Sequence, residues 1–228
     1  MPDGRLGERP LLRNHPLAWR LSLILWIVGG LPLVGLAFDP TAELIQRVDM
    51  RVWEFAVDLE TDAGVALATV FDFIGSSWVT VPIMVVVGAF LIWRRHWESL
   101  WFWAIAMTVS QLLIGPVKAL YARPRPLLPL VPTSSYSFPS GHAVAGAAVA
   151  VSLVIVLVPA GPERRNLEIV AVAFAGLMAL SRVFLRAHWL SDVGAGGALG
   201  VAVAVGAAAL VHYVDDWRRD PRRVGRAG

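Results

Sequence analysis

Apolar positions along the chain gather into six runs, at about 20–38, 76–93, 99–117, 141–158, 168–185 and 191–213. Each is long enough to cross a bilayer, for which a helix needs roughly 20 residues at 1.5 Å rise per residue. The pattern predicts an all-α polytopic membrane protein with six transmembrane helices. The region at about 39–75 is patterned differently. There DPTAELIQRVDMRVWEFAVDLETD sets apolar residues at near-helical spacing among acids, which predicts an amphipathic helix lying at the interface or packed on the bundle. The first run has an Arg-bearing flank and a small-residue stretch at Gly35-Leu36-Ala37. Its apolar length exceeds the roughly 7–15 residues of a secretory signal, so it is expected to stay as a span.

Composition agrees with a membrane solvent. Of 228 residues, 57% are apolar and 16% charged, against about a quarter charged in a soluble domain. No composition shift, internal repeat or low-complexity tract divides the chain, so residues 1–228 are read as one domain. The formal charge of +3, from 20 Lys+Arg against 17 Asp+Glu, is too small and too dispersed for a nucleic-acid surface. With no cysteine, disulfides, thiolate chemistry and cysteine metal sites are excluded.

The basic residues orient the spans. Arg5, Arg9, Arg13, Arg20, Arg94, Arg95, Arg164, Arg165, Arg218, Arg219, Arg222, Arg223 and Arg226 fall on the termini and the even-numbered connections, so that side is expected to be cytoplasmic. Arg47, Arg51, Lys118, Arg123, Arg125, Arg182 and Arg186 fall on the other side, the last five crowded against the bias around two short loops. Topology does not account for those five. Trp93, Trp97, Trp101 and Trp217 near the inner boundary, with Trp78 and Trp189 near the outer one, are expected as interfacial anchors.

Six spans bring KALYARPRP (118–126), PSGH (139–142) and SRVFLRAHWLSD (181–192) to that same outer side. Pro124 and Pro126 stiffen the first segment and discourage helix, so it presents a compact ammonium and planar guanidinium donors to phosphoryl oxygens. Pro139-Ser140-Gly141 opens the fourth span, where free backbone N–H groups and the helix dipole favour an anion. His188 and Asp192 are four apart around the start of the sixth span. On a helical turn the carboxylate can accept from one imidazole nitrogen and leave the other bare to attack phosphorus. His142 is placed to protonate the leaving alkoxide and later deprotonate water, and Arg182 to hold an equatorial oxygen.

Each piece alone has a plainer reading. Arg123, Arg125 or Arg186 singly reads as a headgroup-binding surface residue; Ser140 and the Ser191-Asp192 pair read as helix caps. His15, His96 and His212 lack acid or base partners in the sequence, and Asp72 has no partner in the motifs. Gly196 and Gly200, at GxxxG spacing, read as helix packing.

Taken together, Lys118 to Pro126 (K-x6-R-P), Pro139 to His142 (P-S-G-H) and Ser181 to Asp192 (S-R-x5-H-x3-D) resemble the three-part signature of the type 2 phosphatidic acid phosphatase superfamily. All its fixed positions are present, and the hydropathy is similar to the family's six-span membrane branch. The resemblance implies His188 as nucleophile, Asp192 as its orienting partner and His142 as general acid. It implies Lys118, Arg125, Ser140, Gly141 and Arg182 as phosphate ligands, with no metal and no cofactor; Arg123 and Arg186 fall outside the fixed positions. The expected function is hydrolysis of a lipid phosphomonoester or pyrophosphate, of the undecaprenyl pyrophosphate, phosphatidylglycerol phosphate or phosphatidic acid class, at the extracytoplasmic face of a bacterial plasma membrane. Partners are then the lipid substrate and membrane lipids, with no nucleic acid. A lipid phosphotransferase using the same phosphohistidine and a non-catalytic lipid-phosphate binder or transporter stay open as alternatives.

Overall fold

Where the sequence is apolar the chain is helical, because inside a bilayer the backbone must satisfy its own N–H and C=O groups. The computed structural model describes residues 15–219 and, among them, eight helices and no strand. They are α1 (His15–Leu36), α2 (Asp39–Asp58), α3 (Asp62–Gly75), α4 (Ser77–Trp93), α5 (Trp97–Tyr121), α6 (Gly141–Leu157), α7 (Pro162–Phe184) and α8 (Leu190–Arg219). Arg5, Arg9, Arg13, Arg222, Arg223 and Arg226, which contribute to the orientation argument, lie outside the described residues, as do the side chains of His15 and Arg219.

Among the described residues, five segments are long and apolar enough to cross a membrane: Leu17–Leu36, Asp62–Trp93, Trp97–Tyr121, Pro162–Phe184 and Leu190–Arg218. The expected fourth span, Gly141–Leu157, is apolar but has only 17 residues, about 25 Å at 1.5 Å per residue. The second departs more from expectation. Its apolar helical stretch begins at Asp62, not near 76, and is broken once, at Ser76, whose φ of −72° and ψ of 161° are extended. Thr61 opens it by accepting from Gly64 N at 3.1 Å, an N-cap that the acids around it obscure in the hydropathy. Helix α2 is the expected amphipathic element, and it is docked: Asp49 and Ala56 are buried against the bundle, while Arg47 and Arg51 are exposed.

Helix α6 lies at the centre, packed on α5, α7 and α8. A helix apolar on every face is a buried one, and Val144, Ala147, Ala148, Val149 and Val151 accordingly sit in the core. Helix α1 instead exposes Leu17, Leu23, Ile24, Ile27 and Leu31, a surface suited to lipid. The α6–α8 approach is as close as backbones allow. A Cβ on Gly200 would collide with the Val144 carbonyl, and one on Gly196 would come 2.9 Å from Ser140 O. The GxxxG pair is therefore used for packing. Gly197, on another face, has nothing within 4 Å of its would-be Cβ. Gly200→Val is expected to cost roughly 1–3 kcal/mol or more through overpacking, lowering the melting temperature of the detergent-solubilised protein, while Gly197→Val should leave it nearly unchanged.

Trp78, Trp93, Trp97, Trp101 and Trp217 are exposed, as anchors must be, but Trp189 is not. It is buried, and its indole donates to Pro124 O at 2.9 Å, so it clasps two loops together. His212 also departs from expectation, with Nε2 lying 3.7 Å from Asp216 Oδ2 one turn along α8.

Candidate active site

The turns at 94–96 and 158–161 lie at one end of the bundle. The loop from 122 to 140 and the link from 185 to 189 meet at the other. Their meeting is hydrogen-bonded: Leu130 N donates to Leu185 O at 3.0 Å and Ser140 N to Asp192 O at 3.1 Å. The first loop leaves α5 through Ala122, in the left-handed region at φ 43°. It then runs extended through the two prolines. Arg186, at φ 56°, turns the second. Non-glycine residues held in that region cost free energy and tend to mark functional sites.

His188 sits on the second link and is buried. Its Nδ1 is 3.4 Å from Asp192 Oδ2 and its Nε2 is 3.2 Å from Arg125 Nη1. A guanidinium only donates, so Nε2 is the acceptor and the ring proton belongs on Nδ1, facing the carboxylate. Burial is the main cause pulling this imidazole down from 6.5 to about 4, against the pull of Asp192 in the other direction. The ring is neutral at pH 7, with an unprotonated nitrogen pointing toward a cation. This arrangement can attack an electrophile that carries negative charge.

Asp192 does a second job. As the third residue of α8 it accepts from Trp189 N at 2.9 Å, the return bond of a capping box. The capping role expected for this stretch and its pairing with His188 are thus both present. Ser140 likewise caps α6, accepting from Ala143 N at 3.4 Å, and it is fully buried. Gly141 follows as the first residue of α6.

Around Nε2 the cations are held by backbone carbonyls. Arg125 donates to Ser135 O (2.9 Å), Ala187 O (2.6 Å) and Ser134 O (2.8 Å). Lys118, on the last turn of α5, donates to Tyr136 O. Neither has a carboxylate partner among the described residues, which leaves the charges available to an anion. Arg182, near the end of α7, is buried and pairs with Asp72, yet its Nε has no hydrogen-bond partner among the described residues. A phosphate oxygen would satisfy that donor. The main-chain carbonyl of Arg182 accepts from His188 N at 3.2 Å, which ties the third cation to the imidazole.

Two residues set aside by sequence reasoning belong to this cluster. Asp72, on α3, shares its Oδ1 between Arg182 and His142 Nε2, the latter at 3.3 Å. The overlooked signal was an acid inside an apolar helix, a costly placement that by default marks function. Arg123 is not a headgroup residue but is buried between Asp49 (2.7 Å) and Asp192 (2.6 Å). Arg186 is also buried rather than on the surface, paired with Glu60 at 2.9 Å, and stays outside the site. Among the described residues no group of three or more His, Asp or Glu is arranged to hold a metal ion. An apolar crevice of about 500 Å³ between α1, α6, α7 and α8 lies at the opposite end, by Gly161 and Arg164, and includes none of these residues.

The model of the PAP2 superfamily matches residues 99–216. Phosphatidylglycerophosphatase B of Bacillus subtilis is 31% identical over 163 residues, 69% of this chain and 80% of that protein. Decaprenylphosphoryl-5-phosphoribose phosphatase of Mycobacterium tuberculosis is 32% identical over 154 residues, 62% of this chain and 75% of that protein. Among solved structures, the transmembrane PAP2-type phosphatidylglycerolphosphate phosphatase of Bacillus subtilis superposes with a TM-score of 0.69 at 27% identity, covering 87% of this chain and 96% of that one. LpxE of Aquifex aeolicus shares the fold, with a TM-score of 0.57 at 21% identity over 69% of this chain and 93% of its own.

Proposed function

The chain belongs to the PAP2 superfamily and is a membrane lipid phosphatase, and we propose that it hydrolyses a lipid phosphomonoester or pyrophosphate through a phosphohistidine on His188. The observation that carries this reading is the imidazole itself, with Nδ1 toward Asp192 and Nε2 3.2 Å from the Arg125 guanidinium. The Nε2 lone pair attacks the terminal phosphorus as its bond to the leaving oxygen, the ester oxygen of a monoester or the bridging oxygen of a pyrophosphate, breaks. That oxygen leaves with the bonding pair and takes a proton from His142. Asp192 holds the ring as it becomes a cation. Lys118, Arg125 and Arg182 hold the phosphoryl oxygens, helped by the amide groups at Ser140 and Gly141, as negative charge shifts onto them. Water then attacks phosphorus and gives a proton to His142 as the phosphorus–nitrogen bond breaks, its electron pair returning to Nε2, which releases phosphate and restores His188.

The substrate class is that of the relatives' names, a phosphorylated glycerolipid or polyprenyl carrier. The test is phosphate release by the detergent-solubilised protein from phosphatidylglycerol phosphate, phosphatidic acid and undecaprenyl pyrophosphate, with no acceptor lipid added. Release is expected to survive EDTA, since three cationic side chains take the charge a divalent ion would otherwise neutralise, and to stop with vanadate, which adopts the geometry of the transition state. Activity that is lost in EDTA and restored by a divalent ion, or that needs an acceptor lipid, would overturn the mechanism.

We place the site on the extracytoplasmic side of a bacterial plasma membrane, with both termini cytoplasmic, because Arg94, Arg95, Arg165 and Arg218 are exposed at the end opposite His188 and basic residues favour the inside. The chain has no cysteine, so each introduced thiol is unique. An impermeant maleimide should label Ser134→Cys in cells whose outer barrier is opened, and reach Gly161→Cys only after the inner membrane is lysed. The reverse pattern inverts the orientation.

A further inference from the structure

Three buried charged side chains form one connected group behind His188, and only Asp192 has so far been given a role. Asp192 Oδ1 accepts from Arg123 Nη1 at 2.6 Å. Arg123 Nη2 donates on its far side to Asp49 Oδ2 at 2.7 Å and to Gln46 Oε1 at 3.0 Å. Asp49 closes the loop: its Oδ1 accepts from Ser191 N at 2.9 Å and its Oδ2 from Ser191 Oγ at 2.6 Å, while that hydroxyl accepts from Arg123 Nη1 at 2.7 Å. All three ionic side chains are nearly inaccessible, at 2% for Asp49, 7% for Arg123 and 0% for Asp192. The Arg123 guanidinium carbon also lies 5.7 Å from the centre of the Trp189 ring.

We propose that Arg123 and Asp49 are positioning residues for the reaction at His188: the buried chain from Asp49 through Arg123 fixes the Asp192 carboxylate and sets how much negative charge it presents to the imidazole. This inference rests on the reading of His188 as nucleophile. Packing α2 against the bundle needs no charge, and apolar contacts would do it without the desolvation cost of three buried ions. The geometry has a chemical consequence. Paired with Asp192 alone, Arg123 would neutralise the carboxylate that must stabilise a cationic phosphoimidazole. Asp49 takes half of the guanidinium fork, so the trio keeps a net negative charge and Asp192 keeps its hold on Nδ1. Helix α2 thereby becomes part of the catalytic apparatus although none of its residues is placed on the phosphate.

The chain predicts shifts of opposite sign, which a merely structural clasp would not give. The other charged groups facing His188 or Asp192 are Arg125 on the loop, Arg182 on α7 and Lys118 on α5, and all are unchanged in the variants. Asp49→Asn keeps the shape and one of the two acceptor oxygens but leaves the guanidinium charge wholly on Asp192. His188 should then hold a proton less tightly, and the acid limb of kcat/KM should move to lower pH. Arg123→Gln frees the carboxylate charge, and the limb should move to higher pH. The double variant should return toward wild type in its limb. Comparison on one substrate cancels the substrate's own ionisation.

In both single variants kcat should fall about ten- to hundred-fold, the scale seen for partners that orient metal-bound histidines, with KM changed far less because Lys118, Arg125 and Arg182 still bind phosphate. Unmoved limbs, limbs that move the same way, or a KM that rises while kcat holds would each overturn the proposal. Failure of Asp49→Asn and of the double variant to give folded protein would do the same, in favour of a structural clasp. A fully active His188→Ala would instead bring down the proposed function, whereas an inactive His188→Ala beside an unaltered Asp49→Asn defeats this inference alone.

Discussion

His188→Ala is expected to lower turnover by about 10⁴-fold or more, the scale on which removing a nucleophile acts in hydrolases. KM should stay near wild type, because Lys118, Arg125 and Arg182 keep their bonds to backbone carbonyls and to Asp72 when the imidazole is removed. The protein should remain folded: Trp189 still joins the two loops through Pro124 O, and Asp192 still caps α8 through Trp189 N. Phosphate release from a lipid substrate, with ³²P trapping on the quenched protein, checks both parts. Label that stays on the protein in His188→Ala, or turnover comparable to wild type, would move the nucleophile elsewhere. The wild-type enzyme should also keep its nucleophile active well below neutral pH. Burial holds the His188 imidazole at about 4 instead of 6.5, so its protonation removes activity only as pH falls through that lower value.

His142→Ala should show its effect in the leaving group. A lipid alkoxide is a poor leaving group and needs the proton, so the loss is expected at roughly 10²–10⁴-fold, the usual contribution of a positioned acid. With p-nitrophenyl phosphate, whose phenolate leaves as a stable anion, the same variant should lose far less. Asp72→Asn should reproduce part of this selective loss, because the Asp72 carboxylate lies 3.3 Å from His142 Nε2 and pairs with Arg182 on α7. Equal losses on both substrates would remove His142 from the proton transfer and leave it a role in binding.

Both predictions concern residues that could be named before any coordinates were known, and the reason is local. The spacings that matter lie within single segments. His188 and Asp192 are one helical turn apart, Ser140 and Gly141 begin a helix, and Lys118 and Arg125 flank a proline-stiffened exit from one. Short-range geometry then leaves few alternatives. The hydropathy was informative for a similar reason, since a bilayer forces long apolar runs into helices and leaves the polar turns between them.

What the sequence could not determine depended on pairings between distant segments. Asp72 lies 110 positions from Arg182, and Asp49 lies 142 from Ser191. No periodicity links such residues, and an isolated acid reads as a liability until its partner is seen. Acids at Asp62 and Asp72 made the start of the second membrane element look polar, although a capped apolar helix runs through them. Trp189 and Arg123 looked like interfacial residues because an aromatic or basic side chain in a short loop usually faces headgroups. Here the loops close on each other and bury both. The sequence by itself determined the helical membrane class and the residue types that gather at one end of the bundle. Only the tertiary structure decided which carboxylate answers each buried cation, because a charge removed from water must find a partner in space, and nearness in space is not encoded in the order of the chain.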